Sequence, residues 1–263
     1  MTEQYKVIDM HTHLRNAIPL HTIIAKENGI DIVVFMANTN PVLDNLDKIL
    51  ETYKMKRYCH AAPVSAITKN LDGKELVDVD RIKYHVVGFS DDGKCLSDLS
   101  LLKEVLKKEV LILLHCEPEA EMVKRYLDVL ADVNGKMHLQ HISLRKSVEL
   151  IRYAKKSGIK VTCETCPHYF SYTKYDLETK VNPPLAIEDD IFAIREGLVD
   201  KTIDVIASDY APLPRVTGIA GFRCFLPLSY GLVMRGILTE DELKEKLHNN
   251  PKKIIESGYY KLG

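Results

Sequence analysis

The chain has 263 residues, 46% hydrophobic and 28% charged, with a formal net charge of −1 and no long basic run. That length suits one barrel-sized α/β domain better than two small ones, and near-neutrality excludes nucleic acid or an anionic membrane as the main partner. The polar start MTEQYK carries no secretory signal, no apolar stretch approaches the roughly 20 residues that span a bilayer, and six scattered cysteines (Cys59, Cys95, Cys116, Cys163, Cys166, Cys224) read as reduced thiols of a cytoplasmic protein.

The first predicted strand is KVIDM (6–10), within VIDMHTHLR (7–15). A strand alternates faces with period two, so His11 and His13 point to one side. They fit polar rungs of a half-buried strand, and they fit two ligands on one metal. Further strands are predicted at DIVVFMA (31–37), APVSAI (62–67), HVVGFS (85–90), VLILLH (110–115), KMHLQH (136–141), KVTCET (160–165) and DVIAS (204–208). Several are rich in Val and Ile with little alternation, as parallel strands buried on both faces should be. Between them lie helical stretches such as LSDLSLLKEVLKKE (96–109) and SLRKSVELIRYAKKSG (143–158). Ser143 and Gly158 are the expected caps of the second. The tail LTEDELKEKLHNNPKKIIES adds two short helices.

Eight alternating βα units predict a (β/α)₈ TIM-type barrel over residues 1–263, with C-terminal helices (239–263) packed on it. An open doubly wound sheet would favour a Gly-rich phosphate loop after the first strand, where this chain has histidines.

Barrel active sites sit at the C-terminal ends of the strands. There the sequence places His11 and His13, then Ser90-Asp91-Asp92-Gly93, His115, His141 and Asp209. Singly, each histidine also suits a core position and each aspartate a turn or cap. Jointly, imidazole and carboxylate suit zinc or a related divalent ion, and their number exceeds one tetrahedral site. The CxxC of Cys163 and Cys166 lacks a second pair, which argues against a structural zinc. His21, His60, His85, His138 and His248 read as structural, and His168 as a near-rim residue that supports the ligands.

These motifs run in the order found in the dihydroorotases of the amidohydrolase superfamily, which the chain resembles. VIDMHTHLR resembles the family's D-x-H-x-H-x-R, MANTNPV (36–42) its M-P-N-T-x-P and GFSDDG (88–93) its F-T-D-D-G. HCE (115–117), HIS (141–143), CETCPHYF (163–170), KVNPPL (180–185), IASDYAP (206–212), GIAGF (218–222) and NNPKKI (249–254) are similar to later family segments. The resemblance implies that His11 and His13 hold one zinc ion, His115 and His141 a second, and Asp92 bridges them. Many relatives use a carboxylated lysine on strand 4, but GFSDD offers none. That sets the chain nearer the aspartate-bridged dihydroorotases than the hydantoinases or allantoinases. Asp209 would touch the first metal and act as general base. Arg15, Asn38 and Asn182 match positions that grip the substrate carboxylate. The implied reaction is interconversion of dihydroorotate and N-carbamoyl-L-aspartate, a step of pyrimidine biosynthesis. Zinc suits it by lowering the pKa of water to about 7.

The sequence departs from the family in three ways. The first strand starts near residue 6 and the chain ends soon after NNPKKI, so a bare barrel without the family's β-sandwich is expected. Rim connections are short, with 25 residues between His115 and His141. The family's D-H-A-P-H reads Asp209-Tyr210-Ala211-Pro212-Leu213, and Arg215 is the expected substitute for the lost histidine. Two other readings follow: a hydrolase of another cyclic amide, or a non-catalytic subunit partnering aspartate carbamoyltransferase. Homo-oligomer formation is the further expectation, since trimmed loops expose apolar rim surface.

Overall fold

In the computed structural model, which describes residues 5–177, 180–212 and 218–262, the strands pair in two parallel runs. β1 (Ile8–Thr12), β2 (Ile32–Phe35) and β3 (His60–Pro63) form one. β4 (Leu111–Leu114), β5 (Lys136–Leu139), β6 (Val161–Thr165) and β7 (Val205–Ile206) form the other. The runs join at both edges. Phe89 bridges Ser65 on one side and Ile112 on the other, and Thr12 bridges Tyr210 beyond β7. Eight staves therefore close into the expected barrel. HVVGFS supplies the fourth, but through isolated bridges rather than a ladder. Backbones run very close there: a Cβ on Gly88 would stand 2.5 Å from the Leu111 carbonyl oxygen.

Strand parity divides the core. Val33, Phe35, Ile112 and Leu114 pack outward with helix residues such as Ile49, Leu102, Val123 and Val148. Ile8, Met10, Ile32, Val34, Leu111 and Leu113 form a second cluster inside the ring. Ile254, Ile255 and Tyr260 join that cluster, so the helix Asn250–Ser257 closes the lower end of the barrel. On β5 and β6 the outward positions are Met137, Leu139, Val161 and Cys163. The alternate positions, His138, Thr162 and Glu164, face inward and are polar.

The helix predicted over 143–158 spans Arg145–Lys156. Gly158 follows it with φ 86°, as a left-handed terminator should. Ser143 does not cap it. Its amide donates to Glu119 at 3.1 Å and its hydroxyl also bonds that carboxylate, so Leu144 takes the cap position without a side-chain bond. The tail forms one bent run, Glu240–Lys244, a π-helical turn Glu245–Asn249 and Asn250–Ser257, started by a Thr239 capping box.

Candidate metal centre and active site

The ends of the staves bring six side chains together. His11, His13 and Asp209 each offer a ligand atom within 4.8 Å of the others, as do Asp92, His115 and His141, and all six are buried. Asp92 lies between the two trios. Its Oδ1 is 3.5 Å from His11 Nε2 and 3.7 Å from His115 Nδ1, and its Oδ2 is 3.2 Å from His13 Nε2. Asp209 Oδ1 stands 3.0 Å from His13 Nε2 and 3.6 Å from His11 Nε2. His115 Nδ1 and His141 Nε2 are 2.7 Å apart. The backbone is bent to aim these groups: His141 and Asp209 have φ of 36° and 48°, and Arg15 has 50°. Such left-handed non-glycine residues persist only where their surroundings hold them.

Asp91 and Asp92 have separate tasks. Asp91 accepts the Ile67 and Thr68 amides at 2.8 and 3.0 Å and ties down the loop after β3. Asp92 is left free to face the imidazoles.

The electrostatics favour ionised carboxylates. Burial pushes Asp209 up, but His11 and His13 outweigh it and hold it at about 2. Asp92 is likewise raised by burial and lowered further by His11 and His13, ending well below the ordinary carboxylate value. Burial, reinforced by His115 and His11, pushes His141 down to about 3, so its imidazole is neutral at neutral pH.

The residues fit a divalent metal. Two buried trios mix imidazole with carboxylate, and His11 Nε2 is buried with no hydrogen-bond partner while it faces both aspartates. Supporting carboxylates stand behind them. Glu164 Oε1 accepts from His11 Nδ1 at 2.6 Å, and Glu117 Oε2 lies 3.3 Å from His115 Nε2. Burial raises Glu164, but His11 and His138 bring it to about 2. Sequence reasoning missed both glutamates and set His138 aside as structural. His168 is buried with Nε2 unpartnered, and it bonds none of the six.

A cavity of about 200 Å³ opens over the cluster, lined among others by His13, Arg15, Asn38, His115, Asn182 and Asp209. Arg15 Nη1 donates to the Asn38 carbonyl at 2.8 Å. Asn182 Nδ2 donates to Glu117 at 2.9 Å. Arg215 and Leu213 lie outside the described residues. The remaining histidines stand apart: His21 Nδ1 meets the Tyr210 hydroxyl at 2.9 Å, and His60 Nε2 meets that of Tyr260 at 3.1 Å. Cys163 and Cys166 are buried free thiols.

A closed parallel barrel with a histidine–carboxylate cluster on its C-terminal rim defines a class, the amidohydrolase barrels. No family model matches the chain. It is 34% identical over 307 aligned residues to a dihydroorotase of Acetivibrio thermocellus, covering 95% of this chain and 72% of that one. The chain therefore belongs to the dihydroorotase family. The aligned stretch exceeds the 263 residues of the whole chain, so the relative carries insertions that this one lacks, in keeping with its short connections. Among solved structures, an L-hydantoinase from Arthrobacter aurescens superposes with a TM-score of 0.86 at 21% identity, covering 96% of this chain and 71% of that one. The inactive dihydroorotase-like domain of a Chaetomium thermophilum multifunctional protein superposes at 0.76 with 19% identity, covering 96% and 79%. No helix among the described residues is long and apolar enough to cross a membrane.

Proposed function

We propose that the chain is a zinc-dependent dihydroorotase, interconverting dihydroorotate and N-carbamoyl-L-aspartate in pyrimidine biosynthesis. The observation that carries this reading is Asp92, whose two carboxylate oxygens face histidines of both trios. His11, His13 and Asp209 would hold one ion, and His115 and His141 the other, with Asp92 shared between them. Zinc bound there supplies the Lewis acidity that brings the pKa of water to about 7. Asp209, ionised and beside His13, accepts a proton from the attacking water and returns it to the amide nitrogen as the ring opens. Arg15 is braced on the Asn38 carbonyl and turns the rest of its fork toward the substrate carboxylate, with Asn38 and Asn182 as amide donors. Arg215 is assigned to the same carboxylate.

The test is dihydroorotate hydrolysis by zinc-loaded protein, followed by loss of dihydroorotate absorbance, with a chelator-treated control. Chelator-sensitive turnover is expected. Absent turnover with zinc still bound would refute the substrate and favour another cyclic amide. Absent zinc would refute the metal centre and favour a scaffolding subunit, a reading the retention of all six donors opposes. Association with a second copy or with an aspartate carbamoyltransferase belongs to the same proposal, supported by the exposed Phe192, Val199 and Met234. Light scattering, alone and with the transcarbamoylase, measures it.

A further inference from the structure

The polar residues inside β5 and β6 form one connected chain. Glu164 lies at its middle, fully buried. Its Oε1 meets His11 Nδ1 at 2.6 Å and its Oε2 meets His138 Nε2 at 3.0 Å. His138 Nδ1 in turn meets Thr162 Oγ1 at 2.9 Å. Thr162 lines a separate cavity of about 610 Å³ at the lower end of the barrel, beside Lys136, Asn250 and Lys253. The chain therefore runs from the cluster on the rim toward the opposite face.

Burying such a series is unfavourable unless every member is satisfied. An ionised carboxylate only accepts, so both nitrogens that face Glu164 must carry hydrogens. That fixes the rest. His138, protonated on Nε2, presents a bare Nδ1 and takes the Thr162 hydroxyl hydrogen. The Met137 carbonyl is the more distant alternative for that hydroxyl, at 3.3 Å. Neutral His11, protonated on Nδ1, presents a bare Nε2, the buried atom that lacks a protein partner and faces Asp92 and Asp209.

We propose that Thr162, His138 and Glu164 are positioning residues that set the tautomer and ring orientation of His11 from beneath, so that its Nε2 is held as a metal ligand. This inference rests on the metal-centre reading above and deepens it. Glu164 acts through His11 and touches neither substrate nor reacting atoms. In Glu164→Gln one acceptor becomes a donor, and one of the two histidines must change tautomer or lose its bond.

The experiment has two readouts on the full chain. Chelator competition measures zinc affinity. Long-range ¹H–¹⁵N NMR of metal-free protein, at a pH alkaline enough to leave His11 neutral, reports which nitrogen of His11 and His138 is protonated. The expected wild-type pattern is Nδ1–H on His11 and Nε2–H on His138. Glu164→Gln is expected to lower zinc affinity 10- to 100-fold, the range for a residue that orients a ligand. Thr162→Val, far from the rim, lowers it by a smaller factor and keeps the proposal testable if Glu164→Gln does not fold. Wild-type zinc affinity in both variants, or a hydrogen on His11 Nε2, overturns the proposal. Failure of the wild type to take up zinc refutes the metal centre instead, and the NMR pattern still decides the chain.

Discussion

His168 makes acid stability a sharp test of the rim. Its side chain is buried and Nε2 has no partner. Burial, only partly offset by Asp209, depresses it from 6.5 to about 4. Between those values the unfolded chain binds a proton that the folded chain refuses. The contribution is fully present above pH 6.5, declines as pH falls, and is lost at about 4. The difference between 6.5 and about 4 corresponds to roughly 3 kcal/mol. His11, raised above its ordinary value because Asp92 and Glu164 outweigh burial, acts in the opposite direction, so the isolated signal is a difference between proteins. Urea unfolding of metal-free wild type and His168→Gln should be compared from pH 7 to pH 4. The variant is expected to lose less stability on acidification, by an amount approaching that figure. Parallel pH profiles in the two proteins would refute the assignment of a neutral, unpaired imidazole.

Three further outcomes are expected. Asp209→Asn should lower kcat by about 10²- to 10⁴-fold, the range for a positioned acid–base group, in protein whose zinc content is checked by elemental analysis; unchanged kcat would remove Asp209 from proton transfer. Arg15→Ala should raise KM for dihydroorotate about ten- to a hundred-fold, from losing about 1.5–3 kcal/mol of charged hydrogen bonding; an unchanged KM would place the carboxylate elsewhere. Gly88→Ala forces a methyl against the Leu111 carbonyl, so the urea midpoint should fall by the equivalent of about 1–3 kcal/mol; wild-type stability would mean that the fourth stave tolerates separation from β4.

The rim histidines were legible because the strand period and the barrel rule place strand-end residues on one face. His11, His13, His115, His141 and Asp209 needed nothing more. Asp92 needed the family resemblance, since nothing local in Asp91-Asp92-Gly93 says which carboxylate clamps the loop and which faces the cluster. Glu164 and His138 stayed hidden for another reason. Period two separates the faces of a strand but does not say which one lines a barrel, and polar residues there look like solvent-facing rungs. Ser143 misled because its competitor, Glu119, comes from 24 residues earlier. The fourth strand was found as a run but not as a ladder, because pairing depends on neighbours far away in sequence.

The join between the first and last staves has a consequence for assembly. His13 and Asp209 face each other across that seam, 196 residues apart in the chain. An ion shared by them would be a clasp on a ring of about three quarters of the polypeptide. Cross-linking a loop of that size restrains the unfolded chain by roughly 5 kcal/mol on a simple entropic count. Binding and ring closure would then reinforce one another. Substitutions that loosen either end of the barrel should register as lost metal before they register as lost helix.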